Sequence, residues 1–103
     1  MKLRALVVDD QRSPRRSLVL LLENAGMHAG DAASGEEALA LLEQERYDVL
    51  ITDLRMDGMS GNQLLREVKR DYPQLPVILI TAYGSIETAV EAMRFGAYDY
   101  LTK

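Results

Sequence analysis

The sequence contains no cysteine, which removes disulfides, thiolate metal sites and cysteine nucleophiles together and fits a reducing cytosol. Long apolar runs are also missing. None approaches the ~18 residues expected of a membrane span, and the N-terminus has no signal-peptide pattern, so the chain is expected to be cytoplasmic and without a membrane partner. Positive charge is in deficit: 12 Lys and Arg against 16 Asp and Glu leave a net charge of −4. That balance opposes the phosphate neutralisation on which non-specific nucleic-acid binding rests, so no direct nucleic-acid contact is expected. Histidine occurs once, as His28, with no neighbours that suggest a metal site or a triad, and it reads as a surface residue. No glycine-rich phosphate loop follows the first apolar run, which argues against nucleotide binding.

What is present is an ordinary globular composition, 48% hydrophobic and 27% charged over 103 residues, enough for one core and a single domain spanning 1–103. Three apolar runs end on polar groups. Leu3 to Val8 stops at Asp9-Asp10, Val49 to Ile51 stops at Asp53 before the loop Leu54 to Gly61, and Val77 to Ile80 stops at Thr81. Such runs read as strands buried on both faces. Weaker strand patterns cover Met27 to Ala33 and Ala97 to Thr102, the last ending at Lys103.

Helices fit between them. Ser13-Pro14 suggests an N-cap with proline at the first helical position, followed by Leu18, Leu21, Leu22 and Ala25 at the spacing of a buried face and a stop at Gly26. Ser34 with Glu37 matches a capping box ahead of Ala38, Leu41 and Leu42. Ser60 to Gln63 precedes Leu64, Leu65, Val68 and Tyr72, with a break at Tyr72-Pro73. Ser85 precedes Ile86, Ala89, Val90 and Met93, recurring at i, i+3, i+4 and i+7 up to Phe95-Gly96. Five strands alternating with four helices predict an α/β fold with a parallel sheet covered on both faces, doubly wound in the order 2-1-3-4-5.

All carboxyl ends of a parallel sheet lie on one edge, so Asp9, Asp10, Asp53, Thr81 and Lys103 are expected to converge there. Clustered carboxylates repel one another unless a cation shares the site. Mg²⁺ is the economical choice, because it takes oxygen ligands, keeps several waters and accompanies phosphates. A carboxylate beside it can act as a nucleophile toward phosphorus, with Lys103 and the Thr81 hydroxyl available to the phosphoryl oxygens. Phosphoryl transfer consists largely of such positioning and neutralisation.

These residues resemble the receiver domains of bacterial two-component response regulators. The match lies in Asp9-Asp10, Asp53, Thr81 and Lys103 at successive strand ends, with Met56 and Gly61 in the loop. Thr81-Ala82-Tyr83-Gly84 and the segment from Gly96 to Lys103 look most like receivers of nitrogen-regulation-type, enhancer-binding transcription activators. The resemblance implies a flavodoxin-like, CheY-like fold in which Asp53 accepts phosphate from a histidine kinase and the domain catalyses its own phosphorylation and dephosphorylation. It implies Mg²⁺ held by Asp10, Asp53 and the backbone carbonyl of Arg55, with Asp9 helping through water. Thr81 and Tyr100 would report phosphorylation to a surface around Glu87, Glu91, Arg94, Tyr98 and Asp99, through which a homodimer or higher oligomer forms. An output domain, expected to regulate transcription, would lie outside this chain.

Two departures stand out. Asp57 occupies the position where the family usually has proline; it reads as a tolerated surface change, with tuning of cation affinity or phosphoryl lifetime as the alternative. The resemblance also implies a fifth helix after Lys103, so the chain is expected to be C-terminally truncated and to expose an apolar face. Burying several hundred Å² at ~25 cal/mol per Å² is worth on the order of 10 kcal/mol gross, so an aggregation-prone or oligomeric chain is expected.

Plainer readings stand beside these. Arg15 and Arg16 read as a solvated face, Met56 and Met59 as loop packing, and Tyr83 and Tyr98 as half-exposed packing residues. A Mg²⁺-dependent phosphatase or phosphotransferase with an aspartyl-phosphate intermediate is the alternative function. Such enzymes usually place an acid two residues beyond the nucleophile, where this chain has Arg55, and they carry a substrate cap that this chain lacks.

Overall fold

The computed structural model describes residues 2–82 and 84–102. Its elements follow in the order β1 (Arg4–Val8), α1 (Arg12–Asn24), β2 (His28–Ala32), α2 (Gly35–Gln44), β3 (Val49–Asp53), α3 (Gly61–Asp71), β4 (Val77–Thr81), α4 (Ile86–Arg94) and β5 (Asp99–Thr102). The strands form one parallel sheet in the order β2-β1-β3-β4-β5, the expected doubly wound, flavodoxin-like arrangement. β5 begins at Asp99, two residues later than the apolar pattern suggested, although the Tyr98 amide already bonds to the Val77 carbonyl.

The core is one-sided. Leu6, Val8, Leu50, Val77 and Leu79 pack with Ala38 and Leu42 of α2, with Leu64, Leu65 and Val68 of α3 and with Ala92 of α4. Strand side chains alternate between faces, so the intervening residues meet the opposite side, where α1 lies against β2 and β1. There Val7 and Ile51 are buried while Ile78 and Ile80 are only half-buried. β4 is therefore not buried equally on both faces, as a fully apolar run had suggested.

Two apolar stripes also point elsewhere than their spacing implied. On α1 the buried residue is Val19, whereas Leu21 is 65% exposed. On α4 the buried residue is Ala92, and Ile86 is 84% exposed with Val90 and Met93 about half so. Periodicity identifies an apolar face but not what covers it.

Helix starts depend on where orphan amides find acceptors. α1 begins at Arg12 with Gln11 at its N-cap rather than Ser13, which puts Pro14 in the first turn, where a missing N–H costs no intrahelical bond. Its end is a Schellman arrangement, with Gly26 at φ +92, its amide on the Glu23 carbonyl and the Met27 amide on that of Leu22. At α2 the Ser34 hydroxyl accepts from the Glu37 amide, but the Glu37 carboxylate reaches the Ala33 amide instead of closing a full capping box. Both arms are closed at α3 by Ser60 and Gln63, and at α4 by Ser85 and Thr88.

Candidate functional site

β3 and β4 end on Asp53 and Thr81, and β1 ends one residue before Asp9 and two before Asp10, so all four reach neighbouring positions on the carboxyl edge. Asp9 and Thr81 are buried, and Asp10 and Asp53 are half-buried. Asp53 and Asp10 line a cavity of about 450 Å³ together with Gln11, Pro14, Arg55, Met56, Asp57 and Ala82. Asp9 and Asp53 face a second, almost wholly apolar cavity of about 310 Å³ between α1 and the sheet, walled by Pro14, Leu18, Leu21, Ile51 and Ile80. Asp53 is thus common to both.

Each carboxylate accepts a backbone N–H: Asp9 from Gln11 at 2.9 Å, Asp53 from Arg55 at 3.2 Å and Asp10 from Asp57 at 2.9 Å. These donors offset part of the repulsion among like charges. Among the described residues, no three acidic, histidine or cysteine side chains group closely enough to hold a metal ion by themselves. The cavity is nonetheless lined by Asp10, Asp53 and Asp57 together with Arg55. That oxygen set suits a small hard cation that retains water, and it fits Mg²⁺ in chemistry.

The β3–α3 loop is held from below. The Gly61 amide bonds to the Leu54 carbonyl at 2.8 Å, and a Cβ on Gly61 would collide with the Asp53 carbonyl oxygen and the Leu54 Cα. Gly58, at φ +76, turns the chain where an L side chain would be strained. Met56 and Met59 pack against the core, as the loop reading had it.

Thr81 and Tyr100 meet around Gly84, whose hypothetical Cβ would lie 2.7 Å from the Tyr100 hydroxyl and 3.2 Å from the Thr81 methyl. Tyr100 is turned inward against the core, with its hydroxyl 2.7 Å from that of Thr88 on α4. Glu87, Glu91, Arg94, Tyr98 and Asp99 are all exposed. The first three border a groove of about 640 Å³ with Ile86, Val90 and Phe95. Lys103 and Tyr83 lie outside the described residues.

Two features escaped a reading by residue type. Arg15 is not on a solvated face: its guanidinium pairs with Asp31 at 2.9 Å and donates to the Asp9 carbonyl at 2.9 Å, tying α1 to β2 and to the acidic turn. The Asp57 amide on Asp10 is a main-chain donor, which no side-chain pattern announces.

A doubly wound parallel sheet with an acidic carboxyl edge defines a CheY-like domain. Residues 5–103 match the response regulator receiver domain, and the chain belongs to that family, whose members are the phosphoacceptor signalling domains of two-component systems. It is closely related to receivers of NtrC-family regulators. The response regulator protein FleR of Pseudomonas aeruginosa is 45% identical over 103 residues, covering 100% of this chain and 22% of that protein. The chain thus spans about a fifth of the length of the curated relatives it matches. Among solved structures, chemotaxis protein CheY4 of Vibrio cholerae superposes with a TM-score of 0.96 at 33% identity, covering 100% of this chain and 88% of that one. The beryllofluoride-activated NtrC4 receiver domain dimer gives a TM-score of 0.91 at 37% identity, covering 97% and 83%. No helix among the described residues is long and apolar enough to cross a membrane.

Proposed function

We propose that Asp53 is the phosphoacceptor of a cytoplasmic signalling switch charged by a histidine kinase. The observation that carries this reading is the position of the Asp53 carboxylate at the end of β3, in one cavity with Asp10 and beside the end of β4. A carboxylate oxygen of Asp53 attacks the phosphorus of a phosphohistidine. The new O–P bond forms as the N–P bond breaks, and the imidazole leaves with a proton taken up from solvent. Hydrolysis reverses the charge: water adds to phosphorus, the O–P bond breaks, and the carboxylate and inorganic phosphate separate.

Asp10, Asp53 and the Arg55 carbonyl are the groups that would hold Mg²⁺, with Asp9 acting through water. When bound, the ion neutralises charge on the phosphoryl oxygens. The Thr81 hydroxyl donates to one of those oxygens, and Lys103 is assigned to another. Drawing Thr81 toward the phosphoryl group changes the packing around Gly84 and Tyr100, and so biases α4 and β5. On this reading the exposed Ile86, Val90 and Met93, bordered by Glu87, Glu91, Arg94, Tyr98 and Asp99, form the surface through which a second copy docks. The relative solved as an activated receiver dimer supports this choice. The greater length of the relatives, among them the DNA-binding transcriptional regulator NtrC, supports an output domain that regulates transcription.

The test is incubation with a small phosphodonor, with and without Mg²⁺, followed by location of the label. A Mg²⁺-dependent acyl phosphate on Asp53, absent from Asp53→Asn, is expected. A folded protein that acquires none would refute the reading.

A further inference from the structure

We propose that Asp57 is a positioning residue for the cation site, acting through its backbone amide rather than its carboxylate. This inference rests on the reading above, in which Asp10 and Asp53 hold a divalent cation. The Asp57 N–H donates to Oδ2 of Asp10 at 2.9 Å across 47 residues of sequence, joining the β3–α3 loop to the turn after β1. Two positions earlier, the Arg55 N–H donates to Oδ1 of Asp53 at 3.2 Å. One loop therefore grips Asp10 and Asp53, which line the cavity together, each by a main-chain donor. The loop is itself anchored by the Gly61 amide on the Leu54 carbonyl and turned by Gly58 at φ +76.

The consequence follows from how a small cation uses a carboxylate. Mg²⁺ takes one oxygen from each carboxylate in near-octahedral geometry and tolerates little misplacement. The bond from the Asp57 amide to Oδ2 holds the Asp10 side chain in one orientation before an ion would arrive. Hydrogen bonds that orient a metal ligand are commonly worth 10- to 100-fold in metal affinity. A proline at 57 has no N–H and cannot make this bond. The Asp57 carboxylate is exposed at the border of the cavity, where it adds a negative charge that solvent partly screens.

The two contributions are separable by substitution. Asp57→Ala keeps the amide and removes the carboxylate, whereas Asp57→Pro removes both. Mg²⁺ affinity is measured by calorimetry and by NMR titration of the Asp10 and Asp53 side-chain carboxyl signals. Asp57→Ala is expected within about threefold of the parent protein, and Asp57→Pro about tenfold or more weaker than Asp57→Ala. Equal affinity in the two folded variants would overturn the proposal.

A second measurement does not depend on how well Asp57→Pro folds. In the cation-free protein, the Asp57 amide should exchange with solvent about tenfold more slowly than in Asp10→Ala, as befits a donor to a charged acceptor. Equal exchange rates would also overturn it. If Asp10 and Asp53 give no response to Mg²⁺ at all, the cation reading falls and this inference with it. If both respond while Asp57→Pro and Asp57→Ala bind alike, this inference falls alone.

Discussion

Tyr47 shows how one side chain reports its surroundings through a proton. Its ring is buried beneath Arg4, whose guanidinium lies 5.3 Å from the ring centroid, and its hydroxyl donates to Glu45 at 2.9 Å. Burial first, then the hydrogen bond to Glu45 and the charge of that carboxylate, push the phenol above its usual 10.0, with Arg4 opposing. From pH 10.0 up to the folded-state value, the folded chain keeps a proton that the unfolded chain has lost, so stability falls as pH rises through that window. Lys69, lowered by burial, acts in the opposite sense below 10.5, where the unfolded chain holds the extra proton. Comparing Tyr47→Phe with the parent cancels the lysine contribution. Denaturant midpoints measured on either side of pH 10 should show a shallower alkaline decline in Tyr47→Phe; identical declines would refute the assignment. The places of Asp9, Asp10, Asp53 and Thr81 at strand ends could be read from the sequence at this scale, because each follows an apolar run. Arg15 could not, since its partners Asp31 and the Asp9 carbonyl come from other segments.

Among the elements, α3 and α4 start at the serines that precede their apolar stripes, because capping is a local exchange of hydrogen bonds within four residues. The start of α1 departs from its local signal. Serine followed by proline is a good local signal, but the Asp9 carboxylate accepts the Gln11 amide and the Arg15 amide bonds back to the Gln11 carbonyl, which fixes the helix two residues earlier. Gly61 marks where an element boundary and the candidate site meet. Gly61→Ala places a methyl against the Asp53 carbonyl and the Leu54 Cα, both main-chain atoms that cannot turn aside. Overpacking of this kind costs about 1–3 kcal/mol, and the strain falls on the residue proposed to carry the phosphoryl group. Denaturant unfolding should show a loss in that range, and phosphodonor labelling should slow at the same time. Parent-like stability with parent-like labelling would refute the contact.

At the scale of the whole fold, the described residues place α2, α3 and α4 on one face of the sheet and α1 on the other. Ile80 is left half-covered, Leu101 is 46% exposed beside it, and Leu20 and Leu21 are exposed on α1. α4 adds a second apolar surface at Ile86, Val90 and Met93. Apolar surface on this scale usually marks an interaction site. Sedimentation over a concentration series is expected to show self-association of the 103-residue chain, weakened by Val90→Asp if the α4 face carries it. A monomer at every concentration would refute the expectation. A self-associating chain indifferent to Val90→Asp would move the interface to the α1 side.

The sequence by itself determined the alternation of elements and the residues at the ends of its apolar strands, while the strand order, expected as the leading topology, was settled by the sheet itself. The alternation and the strand-end residues follow from local periodicity and caps. Tertiary structure alone decided which apolar stripes are covered, that Arg15 is an internal tie, and that a main-chain amide of Asp57 holds Asp10. Burial depends on the neighbours a face meets after folding, and a backbone N–H is common to every residue but proline, so neither is written in residue type.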